Sequence, residues 1–195
     1  MEIDNVIFFC SAITKPDIVK TQKEITFNYF PKNDGLSGIK RRPEEKTQEK
    51  IITVPIDTLD NIINTIKPDE RTNIPFIKID VEGGEFDVLL GAEKIMKKYK
   101  PVITIENGRQ YSANLYNYTK KDFFDYFNSL GYCLFQYTGE IFTESDWSKE
   151  SVYWETWLVH NNSEYLQFFK DHYMSFATIF MNDRNRRCQS CVFRN

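Results

Sequence analysis

Apolar and polar positions along this chain switch repeatedly between a period of two and a period near 3.6, and the switches mark out its elements. Residues 5–13 are a β-rich run, residues 24–30 alternate in the manner of a half-buried strand, and residues 51–55 are another short apolar piece. Between the last two, residues 31–50 are polar and carry Asp34-Gly35 and Ser37-Gly38, which reads as a loop. Asp57-Thr58 then starts a helix whose Leu59, Ile62, Ile63 and Ile66 recur at helical spacing, and Pro68 stops it. Residues 76–81 follow as a mostly apolar strand, Gly83-Gly84 as a turn, and residues 85–98 as a helix that buries Val88, Ala92, Ile95 and Tyr99. Residues 101–106 form a second β-rich run opening on a proline, which strands tolerate at their first position.

Strand, glycine turn, helix and strand within about 30 residues make a βαβ unit with parallel strands and a right-handed crossover, which sets the class as α/β. Thr119 with Asp122 forms a capping box ahead of Phe123, Phe124, Phe127 and Leu130, and Gly131 ends that helix. Residues 132–137 and 153–159 read as two strands without a helical pattern between them, so an antiparallel hairpin is expected at a sheet edge. Ser163 begins a last helix through Tyr165, Phe168 and Phe169.

Composition narrows the classes. The 195 residues, 41% hydrophobic and 15% aromatic, suit one domain with a sizeable core. Apolar runs such as residues 6–9 fall far short of the roughly 20 residues of a membrane span, and Glu2 and Asp4 do not resemble a secretory leader. No membrane partner and a cytoplasmic location are therefore expected. A net charge of −3 argues against a nucleic-acid partner. Lys40-Arg41-Arg42 runs straight into Pro43-Glu44-Glu45 and reads as a solvated mixed-charge loop, while Arg184, Arg186 and Arg187 read as an exposed tail. Cys10 and Cys133 lie in apolar runs and are expected to be buried. Cys188 and Cys191 have the spacing of half a zinc site without a second pair, so no metal is expected there. His160 and His172 are too isolated to build a site around.

The chemistry concentrates on Lys78, Asp80, Glu82 and Glu85, set around Gly83-Gly84, with Glu106 closing the next strand. Ligands of open α/β sheets sit beyond the carboxyl ends of the strands, so these acids are expected on one rim. Acids at a helix start are common caps, and Glu85 alone is more often a cap than a catalyst. Lys78 and Asp80 share one face of a strand, opposite Ile77, Ile79 and Val81, where a structural pair and a functional pair are equally good readings.

The segment Ile77-Lys-Ile-Asp-Val-Glu-Gly-Gly-Glu-Phe-Asp-Val-Leu-Leu-Gly-Ala92, with Lys100-Pro101 and Glu106 after it, resembles the signature of the FkbM-type methyltransferases. Residues 54–60 and 5–12 upstream, and residues 130–132 and 155–158 downstream, are similar to further parts of that family's domain, so the resemblance covers residues 5–160 and leaves 161–195 as a helix and polar tail. It implies a Rossmann-like sheet, mostly parallel with an antiparallel edge hairpin. It also implies methyl transfer from S-adenosylmethionine to a hydroxyl of a sugar or small natural product. By the same resemblance Asp80 and Glu82 are the candidate catalytic residues, and Lys78, Glu85 and Glu106 the candidate substrate-binding residues. The glycine-rich strand-turn-helix that opens such domains is not found ahead of residue 5, and Gly35 and Gly38 are weak substitutes. The expectation is thus a partial domain with unassigned cofactor-binding residues, completed by an upstream segment or a second chain. Two alternatives stand beside it: a non-catalytic interaction module, and a divalent-cation site at Asp80, Glu82 and Glu106.

Overall fold

A computed structural model describes residues 6–32, 34–42, 49–66 and 73–171, and within them the period-two segments form two sheets. In the first, β3 (Lys50–Asp57) lies between β1 (Ala12–Ile13), to which it is parallel, and β2 (Glu24–Tyr29), to which it is antiparallel. In the second, the order is β4 (Phe76–Ile79), β5 (Val102–Glu106), β7 (Glu155–His160) and β6 (Tyr132–Gln136). β4 and β5 are parallel and joined through α3 (Glu85–Leu90) and α4 (Glu93–Tyr99), whereas β7 is antiparallel to both β5 and β6.

The architecture is mixed α/β, and the described strands form two sheets where one was expected, the second with β7 alone reversed. In the second sheet β4, β5 and β6 run in one direction, with crossover helices between β4 and β5 and, as α5 (Arg109–Tyr116) and α6 (Lys120–Ser129), between β5 and β6; the link from β6 to β7 contains no α-helix, and the chain direction reverses there. β7 also lies inside the sheet, leaving β6 as the edge of the expected hairpin.

Three other elements depart from the sequence pattern. Of residues 6–13, only Ala12 and Ile13 pair, and Val6, Ile7, Phe8 and Phe9 are 45–90% exposed. Their composition favours a strand, but a strand needs a ladder, and β1 pairs among the described residues with β3 alone. Cys10, expected to be buried, is exposed for the same reason, while Cys133 is half-buried with Sγ 2.9 Å from Asn161 Oδ1. The single helix expected over residues 85–98 is two, broken at Gly91. A Cβ at Gly91 would lie 2.4 Å from the carbonyl oxygen of Thr14, and the Gly91 carbonyl accepts the Asp60 N–H at 2.9 Å, so the break is where the first sheet docks. Two short helices, α1 (Pro16–Thr21) and α5 (Arg109–Tyr116), carry too weak an apolar stripe to show in the pattern. By contrast α2 (Leu59–Thr65), capped by the Thr58 side chain, and α6 (Lys120–Ser129), opened by the Thr119–Asp122 capping box, follow it closely. Pro68, Cys188, Cys191, His172 and the arginines near the C-terminus lie outside the described residues.

The two faces of the second sheet have different fates. Ile79, Ile103, Ile105 and Leu158 meet α3, α4 and α6 through Phe86, Leu89, Met96, Phe123, Phe124 and Phe127, which makes the main core. The alternate residues point the other way. There Val102, Phe135 and Val159 are covered by Leu166 and Phe169 of a helical turn at residues 165–171. The register Phe76 to Val102, Lys78 to Thr104 and Glu106 to Glu155 carries this face from an apolar end to an acidic one. Among the described residues, no helix is long and apolar enough to cross a membrane.

Candidate active site

β4 and β5 run side by side in the same direction, so their carboxyl ends deliver Asp80 and Glu106 to one edge, and the turn after β4 adds Glu82. Carboxylate oxygens of Asp80, Glu82 and Glu106 all lie within 4.8 Å of one another. The turn is tight: Glu82 has φ 58° and Gly83 φ 108°. A left-handed backbone at a glutamate costs energy that glycine would avoid, and such strain concentrates at functional sites. Gly84 is fixed by contact, since a Cβ there would sit 3.1–3.3 Å from the phenol of Tyr116.

Each expected site residue has a definite place. Lys78 and Asp80 do share a face and pair at 2.6 Å, but both are largely exposed, so no buried charge needs explaining. Glu82 is half-buried and bound to Arg42 at 2.5 Å. Glu85 turns away from the rim: it is 3% exposed, and its Oε1 accepts the backbone N–H groups of Val81 and Gly83 at 3.1 Å each. Its carboxylate holds the glycine turn closed, because a carboxylate one residue into the helix reaches the free amides of its own turn. Glu106 stands beside the two paired acids and forms no salt bridge among the described residues.

The electrostatics follow from this crowding. Burial pushes the Glu106 pKa up, and Glu82, Asp80 and Glu155 push it further in the same direction. Burial likewise raises Glu82, against the opposing pull of Arg42. Glu85 is raised by burial despite its amide partners. More acids than cations face the rim, which makes it favourable to a positively charged group.

Beside the rim opens a cleft of about 580 Å³, lined by Ser11, Ala12, Ile13 and Thr14 and by Asp80, Val81, Glu82 and Gly84. Its remaining wall includes Gly35, Ser37, Gly38 and Ile39, and a Cβ at Gly35 would lie 3.5 Å from Glu82 Oε1. Sequence reasoning named only Gly35 and Gly38 of this stretch, as weak candidates, and missed Arg42. The residue expected in a solvated loop is mostly buried, ion-paired to Glu82, with its guanidinium 5.9 Å above the Tyr111 ring. Nothing local to Lys40-Arg41-Arg42 signals that pairing, because Glu82 is 40 residues away. Another pocket, of about 360 Å³, lies at the apolar end of the sheet between Phe76, Trp157 and Phe168, and no acid or base lines it.

A cleft of this volume falls in the range that holds cofactor-sized molecules. Its acidic edge suits a sulfonium cation. The described residues thus fit part of the S-adenosylmethionine expected from the sequence, although no glycine-rich strand-turn-helix occurs among them ahead of β4. In comparison with known proteins, the family described as Methyltransferase FkbM domain matches residues 13–137, well over half of the chain. No curated protein and no solved structure matches it.

Proposed function

Since the chain belongs to the FkbM methyltransferase domain family, we propose that it methylates a hydroxyl of a sugar or small natural product with S-adenosylmethionine as methyl donor. The observation that carries this reading is the meeting of Asp80, Glu82 and Glu106 on one rim beside an open cleft. When bound, S-adenosylmethionine supplies a methyl group made electrophilic by its sulfonium. The chain's own residues have three tasks: to hold a positive charge, to orient the acceptor hydroxyl, and to take its proton.

Asp80, next to the cleft and paired with Lys78, orients the hydroxyl. Glu82, held by Arg42 on a strained turn, stays at the cleft edge as the second contact. Glu106 suits the proton-accepting role, because a carboxylate whose pKa is raised is the stronger base. Removal of a general base of this kind typically costs about 10²- to 10⁴-fold in rate. Asp80→Asn and Glu106→Gln are therefore expected to lower methyl transfer to a panel of methyl glycosides by about that factor, measured with radiolabelled S-adenosylmethionine. Wild-type rates in both variants would refute the assignment.

The outer edge of β4, unpaired among the described residues, and the exposed Val6, Ile7, Phe8 and Phe9 support a second reading, a methyltransferase-derived interaction module or a domain that a further segment or chain completes. Calorimetry with S-adenosylhomocysteine separates the two. Submillimolar binding by the chain alone supports the enzyme, and no binding by a demonstrably folded chain supports the module.

A further inference from the structure

The sheet face that carries the acid rim also carries the apolar pocket, and the strand register sets the two side by side. Alternation puts Val102, Thr104 and Glu106 of β5 on this face, with Trp157 opposite Thr104 and Glu155 opposite Glu106 on β7. Thr104, Glu106 and Glu155 line a hollow of about 210 Å³ with Lys78 and Asp80, and Asp80 lines the cleft of about 580 Å³ as well. Val102 and Trp157 line the pocket of about 360 Å³ with Phe76 and Phe168. Directly opposed residues of antiparallel strands have Cβ atoms about 5 Å apart, so Thr104 and Trp157 join hollow to pocket. Cleft, hollow and pocket therefore follow one another, through Asp80 and then through Thr104. No charged side chain lines the pocket. Phe76, Tyr165 and Phe168 in its lining are 45–49% exposed, although Leu166 and Phe169 cover the apolar residues beside them. Aromatic rings left open round a concavity characterise ligand sites. An apolar cavity of about 150 Å³ already takes benzene, so this pocket has room for a substituted ring.

We propose that the pocket binds a compact apolar group of the methyl acceptor, such as an aryl ring, while the hydroxyl-bearing part of the same molecule lies in the hollow with Asp80 and Glu106. This rests on the acceptor reading above and narrows its substrate class. The acceptor carries its apolar group within about 13 Å of the reacting oxygen, the span of β5 from Val102 to Glu106. A methyl glycoside fills the hollow and leaves the aromatic walls in water, whereas a phenyl glycoside reaches both. Contact made away from the reacting oxygen holds the acceptor in place for the chemistry.

The test gives the full chain phenyl and methyl glycosides of the same sugars, with calorimetry in the presence of S-adenosylhomocysteine and radiolabelled methyl transfer as readouts. Phenyl glycosides are expected to bind about 10- to 100-fold more tightly, with KM lower by a similar factor, the size of effect that burying a phenyl group gives. Phe168→Ala and Phe76→Ala each remove part of the pocket wall at a nearly half-exposed position, and thermal midpoints confirm that the variants fold. Each is expected to reduce the preference for phenyl over methyl glycosides by about threefold or more, through KM and not kcat. Equal affinity for the two series in the wild-type chain overturns the proposal, and so does an unchanged preference in both folded variants. Binding of phenyl glycosides without methylation of either series overturns the methyltransferase reading and leaves the pocket as a site for apolar groups. Methylation of both series with equal KM overturns the role of the pocket alone.

Discussion

Glu106 illustrates how one residue's chemistry is set by its neighbours. Lys78 serves Asp80 and Arg42 serves Glu82, so Glu106 meets burial and three nearby acids with no cation of its own among the described residues. Its folded-state pKa is raised above its unfolded value, which means that the folded chain holds the proton more tightly. Stability is then lost as pH rises from the ordinary carboxylate range through the folded value. Glu106→Gln removes that loss. It is expected to raise the thermal midpoint at pH 7 and to leave it unchanged below about pH 4, where the wild-type group is already neutral. An equal shift at both values would show that packing, not charge, is responsible. The sequence revealed that Glu106 ends a strand beside another acid-ended strand. It could not reveal that Arg42 would cross the rim to neutralise Glu82 rather than Glu106, since that depends on where a loop 40 residues upstream comes to rest.

Among the elements, the helix starts separate what is local from what is not. The box at Thr119 and Asp122 lies within four consecutive residues, and the sequence is enough to find it. The first turn of α4 is capped from elsewhere: Asp60, in α2, accepts the N–H groups of Lys94 and Ile95 at 3.0 Å each. In the sequence Asp60 looks like an ordinary acid in the first turn of its own helix. Asp60→Ala is expected to cost about 1–2 kcal/mol in urea denaturation, as much as Thr119→Ala. It should also speed hydrogen exchange at the Lys94 and Ile95 amides, which Thr119→Ala leaves alone. Slow exchange at both amides in Asp60→Ala would rule out the cap. The division of the expected 85–98 helix has the same origin, because Gly91 is a break only where Thr14 and Asp60 meet it.

At the scale of the whole molecule, the site exists because the two sheets are held apart and yet tied together. Gly91 against Thr14 is one tie, Arg42 to Glu82 a second, and Lys15 to Asp87 at 3.0 Å a third. Asp87 is buried, with its pKa raised by burial and opposed by Lys15. Lys15→Met leaves that carboxylate unpaired and is expected to cost about 1–3 kcal/mol at pH 7, discounted from a fully buried pair because Lys15 is partly exposed. The cost should shrink towards pH 4 as Asp87 takes a proton, a trend that denaturation at the two pH values would check. The sequence by itself determined the α/β class, most element positions, the family, and the delivery of Asp80 and Glu106 to one rim, because strand period, glycine turns and capping boxes act over a few residues. Tertiary structure alone decided that β7 turns back against β5, that Glu85 faces its own turn, that residues 6–11 find no ladder, that Arg42 pairs with Glu82, and that residues 11–14 line one cleft with Asp80 and Glu82. Each of these depends on a partner far along the chain, and no local pattern encodes which distant groups will be near.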